Sequence, residues 1–298
     1  MGIRATYFSL RIGLVACTVL VLLAPLAVRV ADGAWPPTIS DTWYTDARTL
    51  FVLAVAAAAC LLLAVRGDTL TEQTLLNVAG GLGMLVAAAA CWPKDSSGEH
   101  LPAHDPAVVR LNAYAVGALL AVGLLLWVVS VVLLPRAGGD VDDWRCPRRF
   151  RRVLRGAPAV LLVALLVAFA MAPGWVSRHV HEPAAVAMFV LLGGVALLRT
   201  TLGLRLLERL GDVPAEQSPA GAHLRRAPAA GRRMTGLDAV YGALALGMVA
   251  VVALAAVLLL VEAPVGWVLL VEALLLVLFA TFWAVQTWEV WGETGVGA

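Results

Sequence analysis

Polar side chains that could take part in binding or catalysis concentrate in residues 40–52, which read SDTWYTDARTLFV. Asp46 can cap the helix that follows, because a carboxylate suits the positive end of a helix dipole. Tyr44 fits the aromatic belt that marks a membrane interface. Capping and anchoring leave Arg48 unexplained, since it falls in the first turn of a predicted membrane helix. A charge at that depth needs a partner or a water-filled cavity.

Glu272 is the predicted partner of Arg48. It lies about 10 Å inside the last apolar stretch, at 1.5 Å per residue, and an ionisable residue at such a depth is a functional candidate. Two interpretations are open: a structural ion pair that fixes two helices, or a site for a ligand or a proton. Asn77 adds a polar group to the third apolar stretch, where a hydrogen bond between helices is the favoured explanation.

Four histidines fall in connections that are predicted to lie on the outer face: His100, His104, His179 and His181. Imidazoles bind zinc or copper, so a metal site is one alternative, although solvated histidines without a cofactor are favoured. Ser40 has no histidine base beside it in sequence, but these loop histidines could approach it in space. The sequence contains no H-E-x-x-H, G-x-S-x-G or Walker motif, which favours a protein without enzymatic activity.

The elements that must position these residues are membrane helices. Hydrophobic residues make up 61% of the 298 positions and charged residues only 14%, against about 25% charged in a typical soluble domain. The apolar residues form continuous runs long enough for a helix to cross a bilayer, whereas the strands of a membrane barrel would alternate. The predicted fold is an all-α polytopic transmembrane bundle with about eight spans. They lie near residues 9–29, 47–65, 73–92, 108–134, 156–173, 183–203, 237–261 and 265–288.

Arginines give the bundle a predicted orientation. They cluster in every second connection, and cytoplasmic loops carry the excess of basic residues, so both termini are predicted to be cytoplasmic. The basic run from Arg148 to Arg155 would lie along anionic lipid headgroups. Residues 208–236, rich in proline, glycine and alanine, are predicted to form a flexible cytoplasmic loop.

The composition also bears on location and partners. Only one lysine stands against 21 arginines, and alanine, valine and leucine dominate. GC-rich codons encode this set, which indicates a bacterial protein, and the spans place it as a multi-pass protein of the cytoplasmic membrane. The net charge of +2 gives no case for nucleic acid as a partner. Residues 1–298 are predicted to form a single transmembrane domain.

The start of the second span carries a recognisable spacing, formed by Ser40, Trp43, Tyr44, Arg48, Phe51 and Val52. This spacing resembles the S-x-x-Y-Y-x-x-x-R-x-x-F-V signature of an uncharacterised family of bacterial integral membrane proteins. The likeness continues at residues 66–67, at residues 77–80 and, in the last span, at Glu272. A histidine associated with the start of the fourth helix of that family is not evident where Arg110 and Asn112 stand. The resemblance implies a helical membrane fold with an outward-facing polar cluster, and it implies no particular reaction.

Three functions remain open. The favoured one is a non-enzymatic membrane component that binds lipid or protein, or a subunit of a larger membrane assembly, because packing, topology and a basic inner face suffice for it. A transporter or channel component would use Arg48, Glu272 and Asn77 along a polar path. A metal-dependent hydrolase on the outer face would combine Ser40 with the loop histidines.

Overall fold

The computed structural model describes residues 3–89, 91, 106–129, 147–212, 236–261 and 266–293, and these residues form helices joined by short connections. A 3-10 helix at Ser40–Tyr44 lies between the first two α-helices. We number the α-helices of the described residues in chain order: α1 (Ile3–Asp32), α2 (Arg48–Ala64), α3 (Leu70–Ala88), α4 (Pro106–Val128), α5 (Arg148–Met171), α6 (Pro173–His179), α7 (His181–Leu198), α8 (Thr201–Leu210), α9 (Gly236–Leu260) and α10 (Trp267–Glu293).

The helical prediction is confirmed for the described residues, which contain no strand. Five helical segments are long and apolar enough to cross a membrane, and two shorter apolar helices accompany them at Arg48–Ala64 and Ala113–Val128. The five segments are Thr6–Asp32, Arg149–Met171, His181–Leu198, Gly236–Leu260 and Trp267–Glu289. Five such helices indicate a membrane protein, while the count of eight spans and the orientation stay predictions.

Six helices pack side by side in a closed ring. In order around it, α1 contacts α2, α2 contacts α3, α3 contacts α7, α7 contacts α9, α9 contacts α10, and α10 returns to α1. Small residues allow the close approach of α2 and α3, since a Cβ on Gly80 would come within 2.9 Å of the carbonyl oxygen of Ala59. The remaining long helices, α4 and α5, pack against the outside of α3, and α6 packs against α4 and α5.

One end of the ring holds a buried ion pair, and we call it the Arg199 end. Arg199, which follows α7, is 4% exposed, and its guanidinium contacts Asp68 at 2.6 Å and also Glu72. Burial lowers the pKa of Arg199, but the two carboxylates outweigh it and hold that pKa well above its ordinary value. Thr69 caps α3 by accepting a hydrogen bond from the N–H of Glu72, whose carboxylate in turn accepts from the N–H of Asp68. The pair therefore ties α7 to the turn between α2 and α3.

The loop predicted at residues 208–236 begins with ordered structure. α8 continues to Leu210, and Gly211 ends it with a φ of 80°, which favours glycine. Asp212 then accepts hydrogen bonds from the N–H groups of Leu70 and Thr71, so the start of the predicted loop is fixed to the start of α3. Residues 213–235 lie outside the described residues.

Between its ends the ring is filled with apolar side chains. Leu14, Leu76, Met248, Phe282 and Trp283 are fully buried, and they come from α1, α3, α9 and α10. The same cluster extends to Val271, near the start of α10. A second buried apolar cluster lies beside the 3-10 helix and includes Ile39, Trp43 and Phe51.

Candidate functional site

A cavity of about 380 Å³ lies inside the ring, next to the 3-10 helix. All six ring helices contribute to its walls, which include Val21, Val55, Val86, Phe189, Val252 and Leu275. Most of the wall is apolar. The polar exceptions gather where the 3-10 helix meets α7 and α10, and they include Ser40, Asp41, His181 and Glu272. We call this the Ser40 end of the ring.

A chain of hydrogen bonds joins three of these side chains. The carboxylate of Glu272 in α10 accepts from the N–H of Ile39 at 2.5 Å and lies 3.2 Å from the hydroxyl of Ser40. On the other side of that hydroxyl, Nε2 of His181 lies 2.9 Å from Ser40 Oγ. Nδ1 of His181 lies 2.6 Å from the carbonyl oxygen of Ala89. The hydroxyl of Ser40 therefore contacts a carboxylate that lies 232 positions later in the chain.

The contact with Ala89 fixes the tautomer of His181. A carbonyl oxygen can only accept a hydrogen bond, so Nδ1 carries the proton, and Nε2 of the neutral ring is an acceptor. Ser40 has one hydroxyl proton to offer to its two neighbours. The chain is fully paired when Glu272 and His181 share one further proton, held either by the carboxyl group or by Nε2. The three groups thus form a relay along which a single proton can move.

The 3-10 helix is held in place by a second set of bonds. Thr38 Oγ1 accepts from the N–H of Asp41 and donates to its carboxylate, both at 2.9 Å. The thiol of Cys91 lies 3.5 Å from the same carboxylate, and the phenol of Tyr44 donates to the carbonyl oxygen of Cys91. Burial raises the pKa of Tyr44, so its phenol keeps the proton that it donates. These bonds fix the backbone that presents Ser40.

No protein-family model, curated protein or solved structure matches this chain. The resemblance of residues 40–52 to bacterial membrane proteins therefore stays a prediction. Several residues of that signature do lie at the site in the structure: Ser40 bonds to His181 and Glu272, and Tyr44 bonds to the backbone of Cys91.

The predicted pair of Arg48 and Glu272 does not form. The salt bridges between described residues do not include it. Arg48 is exposed, and its guanidinium lies 3.5 Å from the ring centroid of Trp43, a cation–π contact. Glu272 instead receives the N–H of Ile39 and the hydroxyl of Ser40. Neither residue makes the expected ion pair, because the guanidinium of Arg48 contacts an aromatic ring and the carboxylate of Glu272 accepts from a backbone N–H.

Two further predicted residues lie away from the cavity. Asp46 is exposed, and the N-cap of α2 is Ala47, which makes no side-chain capping bond. Asn77 is also exposed, and its Oδ1 accepts from Gln73 one turn earlier in α3 rather than from another helix. Neither side chain contributes to a polar path through the ring.

The two predicted histidines that the structure describes, His179 and His181, have different surroundings. His179, at the end of α6, is exposed and stacks on Trp175 with ring centroids 4.8 Å apart. His181, two residues later, is 2% exposed and faces Ser40. His100 and His104 lie outside the described residues. Within the part of the chain that the structure describes, no three potential metal ligands gather, and zinc or copper stays a prediction.

The sequence raised the possibility that a loop histidine approaches Ser40, but it did not single out His181. It was expected in a loop before a span near residues 183–203, but α7 begins at His181 itself. Its place as the first residue of a ring helix directs its side chain into the cavity. The hydrogen-bonding backbone groups of Ile39 and Ala89 were also missed, because backbone groups carry no signal in the sequence.

Proposed function

We propose that this chain is a membrane protein that binds an amphiphile, with the apolar part of the ligand in the cavity and its polar part at Ser40, His181 and Glu272. The observation that carries the proposal is a cavity of about 380 Å³ in which six helices form mostly apolar walls and the polar groups lie together at one end. Small-molecule sites have this size and this combination of apolar walls with a few convergent polar groups.

The cavity walls support entry from the side. Val186 on α7 and Leu259 on α9 both line the cavity and remain 52% and 63% exposed. Both helices are apolar enough to cross a membrane, so their exposed surfaces would face acyl chains. An amphiphile could therefore pass between α7 and α9 from the bilayer without crossing water.

The distribution of charge supports an orientation with the Ser40 end outside. Arg149 and Arg152 are exposed at the start of α5. That start lies at the Arg199 end, since Pro147 packs against Gly211. An excess of arginine marks the cytoplasmic face, and these side chains would meet anionic headgroups there. The bound amphiphile would then lie in the outer leaflet of a bacterial cytoplasmic membrane.

A path through the ring is the weaker alternative. The cavity ends against Leu62, Leu192 and Phe279, which line it and are buried. Beyond them the fully buried core continues toward the Arg199 end. A pocket that is closed toward the Arg199 end suits binding and retention of a ligand rather than its passage through the ring.

The test is retention of lipid by the purified protein. We expect native mass spectrometry of protein released from nanodiscs of phosphatidylethanolamine and phosphatidylglycerol to show bound lipid. Ala255→Phe fills the cavity from α9 and should abolish retention, whereas Ala253→Phe places the same ring on the exposed face of that helix and should not. Absence of bound lipid from the wild type, or equal retention by both variants, would contradict the proposal.

A further inference from the structure

We propose that Ser40 is a nucleophile for acyl transfer, that His181 is its general base, and that the bound amphiphile is a carboxylic ester of a membrane lipid. This inference rests on the proposed function, because the ester must sit in the cavity for its carbonyl carbon to reach Ser40. Lipid binding alone involves no reaction at this site, whereas acyl transfer does.

The geometry of Ser40 and His181 is that of an activated serine. A nucleophile and its base must lie within about 2.6–3.2 Å, with the base oriented by a third group. Ser40 Oγ and His181 Nε2 are 2.9 Å apart. The third group is the carbonyl oxygen of Ala89, which holds Nδ1–H and leaves Nε2 free to accept the serine proton.

Access and burial are also suited to the reaction. Ser40 lines the cavity, so an ester bound there can approach its hydroxyl. His181 is 2% exposed, and its ring cannot turn away without losing both of its hydrogen bonds. A pair held in this way needs no rearrangement before proton transfer.

Glu272 is a positioning residue for the same hydroxyl. Its carboxyl group lies 3.2 Å from Ser40 Oγ and is itself held by the N–H of Ile39 at 2.5 Å. When the shared proton is on Glu272, its O–H donates to Oγ, and the serine proton points at Nε2 of His181. This is the arrangement from which the serine proton can leave.

The reaction balances with water as the only co-reactant. Ser40 Oγ forms a bond to the ester carbonyl carbon while its proton passes to Nε2 of His181. The bond from that carbon to the alcohol oxygen breaks, and the alcohol takes the proton from Nε2, which leaves an acylated Ser40. Water then attacks the acyl carbon, with its proton accepted by Nε2, and the bond to Oγ breaks as the proton returns to serine. The products are a carboxylic acid and an alcohol, and nothing is oxidised or reduced.

The first experiment measures covalent labelling by an alkyl fluorophosphonate in detergent-exchanged, full-length protein. Intact-mass spectrometry should show one adduct per chain, and peptide mapping should place it on Ser40. Ser40→Ala should remove the adduct, whereas Ser9→Ala, on the exposed side of α1, should label as the wild type does. His181→Gln should slow labelling by about 10²-fold or more. The same preparations should hydrolyse p-nitrophenyl octanoate in mixed micelles, with the same ranking of variants.

The outcomes separate this inference from the proposed function. Retained lipid without labelling of wild-type Ser40 would overturn acyl transfer and leave lipid binding standing. Labelling without any retained lipid would overturn the lipid-ester assignment. If His181→Gln fails to fold, the solvent isotope effect of the wild type decides. Removal of the serine proton by a general base must make labelling slower in D₂O than in H₂O, and equal rates in the two solvents would overturn the role of His181.

Discussion

Replacing Glu272 by glutamine or leucine tests the hydrogen-bond chain at the Ser40 end most directly. Glutamine is the neutral counterpart of a protonated carboxyl group: its oxygen can accept from the N–H of Ile39, and its NH₂ can donate to Ser40 Oγ. Leucine has a similar volume but can do neither. The two variants therefore differ in hydrogen bonding and hardly at all in packing.

The expected size of the difference follows from the groups left without partners. In Glu272→Leu the N–H of Ile39, a residue 2% exposed, loses its acceptor. A buried donor without a partner costs about 1–3 kcal/mol. The Ser40 hydroxyl still reaches His181 and adds little to this figure. We expect Glu272→Gln to match the wild type and Glu272→Leu to unfold with about 1–3 kcal/mol less free energy.

Reversible unfolding with SDS in mixed micelles measures this difference in the free energy of unfolding, and tryptophan fluorescence is the signal that reports it. Glu208→Gln and Glu208→Leu are the controls, because Glu208 is exposed on α8, and neither should change the free energy of unfolding appreciably. Equal stability of the leucine and glutamine variants at position 272 would show that the bond from Ile39 does not hold α10 in the ring. Loss of stability in the glutamine variant would show that the site needs a negative charge.

Three other substitutions address separate contacts. Arg199→Met should lower the free energy of unfolding by about 3–5 kcal/mol, because the buried carboxylate of Glu72 and the largely buried one of Asp68 lose their cation. Arg209→Met, on the exposed face of α8, should be neutral in the same SDS titration. Tyr44→Phe should cost about 1–3 kcal/mol by leaving the carbonyl oxygen of Cys91 without its donor, measured in the same way. Arg48→Met should cost only about 0.5–1 kcal/mol, since its cation–π contact is exposed, and a larger loss would show that Arg48 has a buried partner.

The sequence predicted the helices well because long apolar runs determine them almost alone. The run near 237–261 became α9 at Gly236–Leu260, and the run near 265–288 became α10 at Trp267–Glu293. Glu272 stood out for the same reason, as a carboxylate inside an apolar stretch that must find a partner. Depth along a helix axis can be counted from the residues.

The partner of Glu272 could not be predicted, because counting gives depth and not rotation about the axis. Arg48 and Glu272 lie at compatible depths, but Arg48 faces outward on α2 and finds the ring of Trp43 five residues earlier. The group that pairs with Glu272 is a backbone N–H in a connection of irregular shape. Such a donor is present at nearly every residue, so nothing in the sequence distinguishes that of Ile39.

His181 illustrates how a small error in a helix boundary changes the interpretation of a residue. The span was expected to begin near residue 183, and α7 begins two residues earlier. That shift moves His181 from a solvated loop to the inner face of the ring. His179, only two positions away, remains exposed beside Trp175, so two histidines close together in the sequence have different environments.

The closure of the ring between α1 and α10 has a consequence for biogenesis. The contacts that close it join residues very far apart in the chain: the guanidinium of Arg11 reaches the carbonyl oxygen of Gln286 across 275 positions, and Ser40 reaches Glu272 across 232. Helices enter the membrane in the order of their synthesis, so α1 and the 3-10 helix must wait in the bilayer until α10 arrives. Contacts of such long range form late. Until α10 is inserted, the ring is open along one side, and Arg11 and the polar Ser40 end are exposed to lipid. A quality-control protease or an insertion factor would meet them in that state.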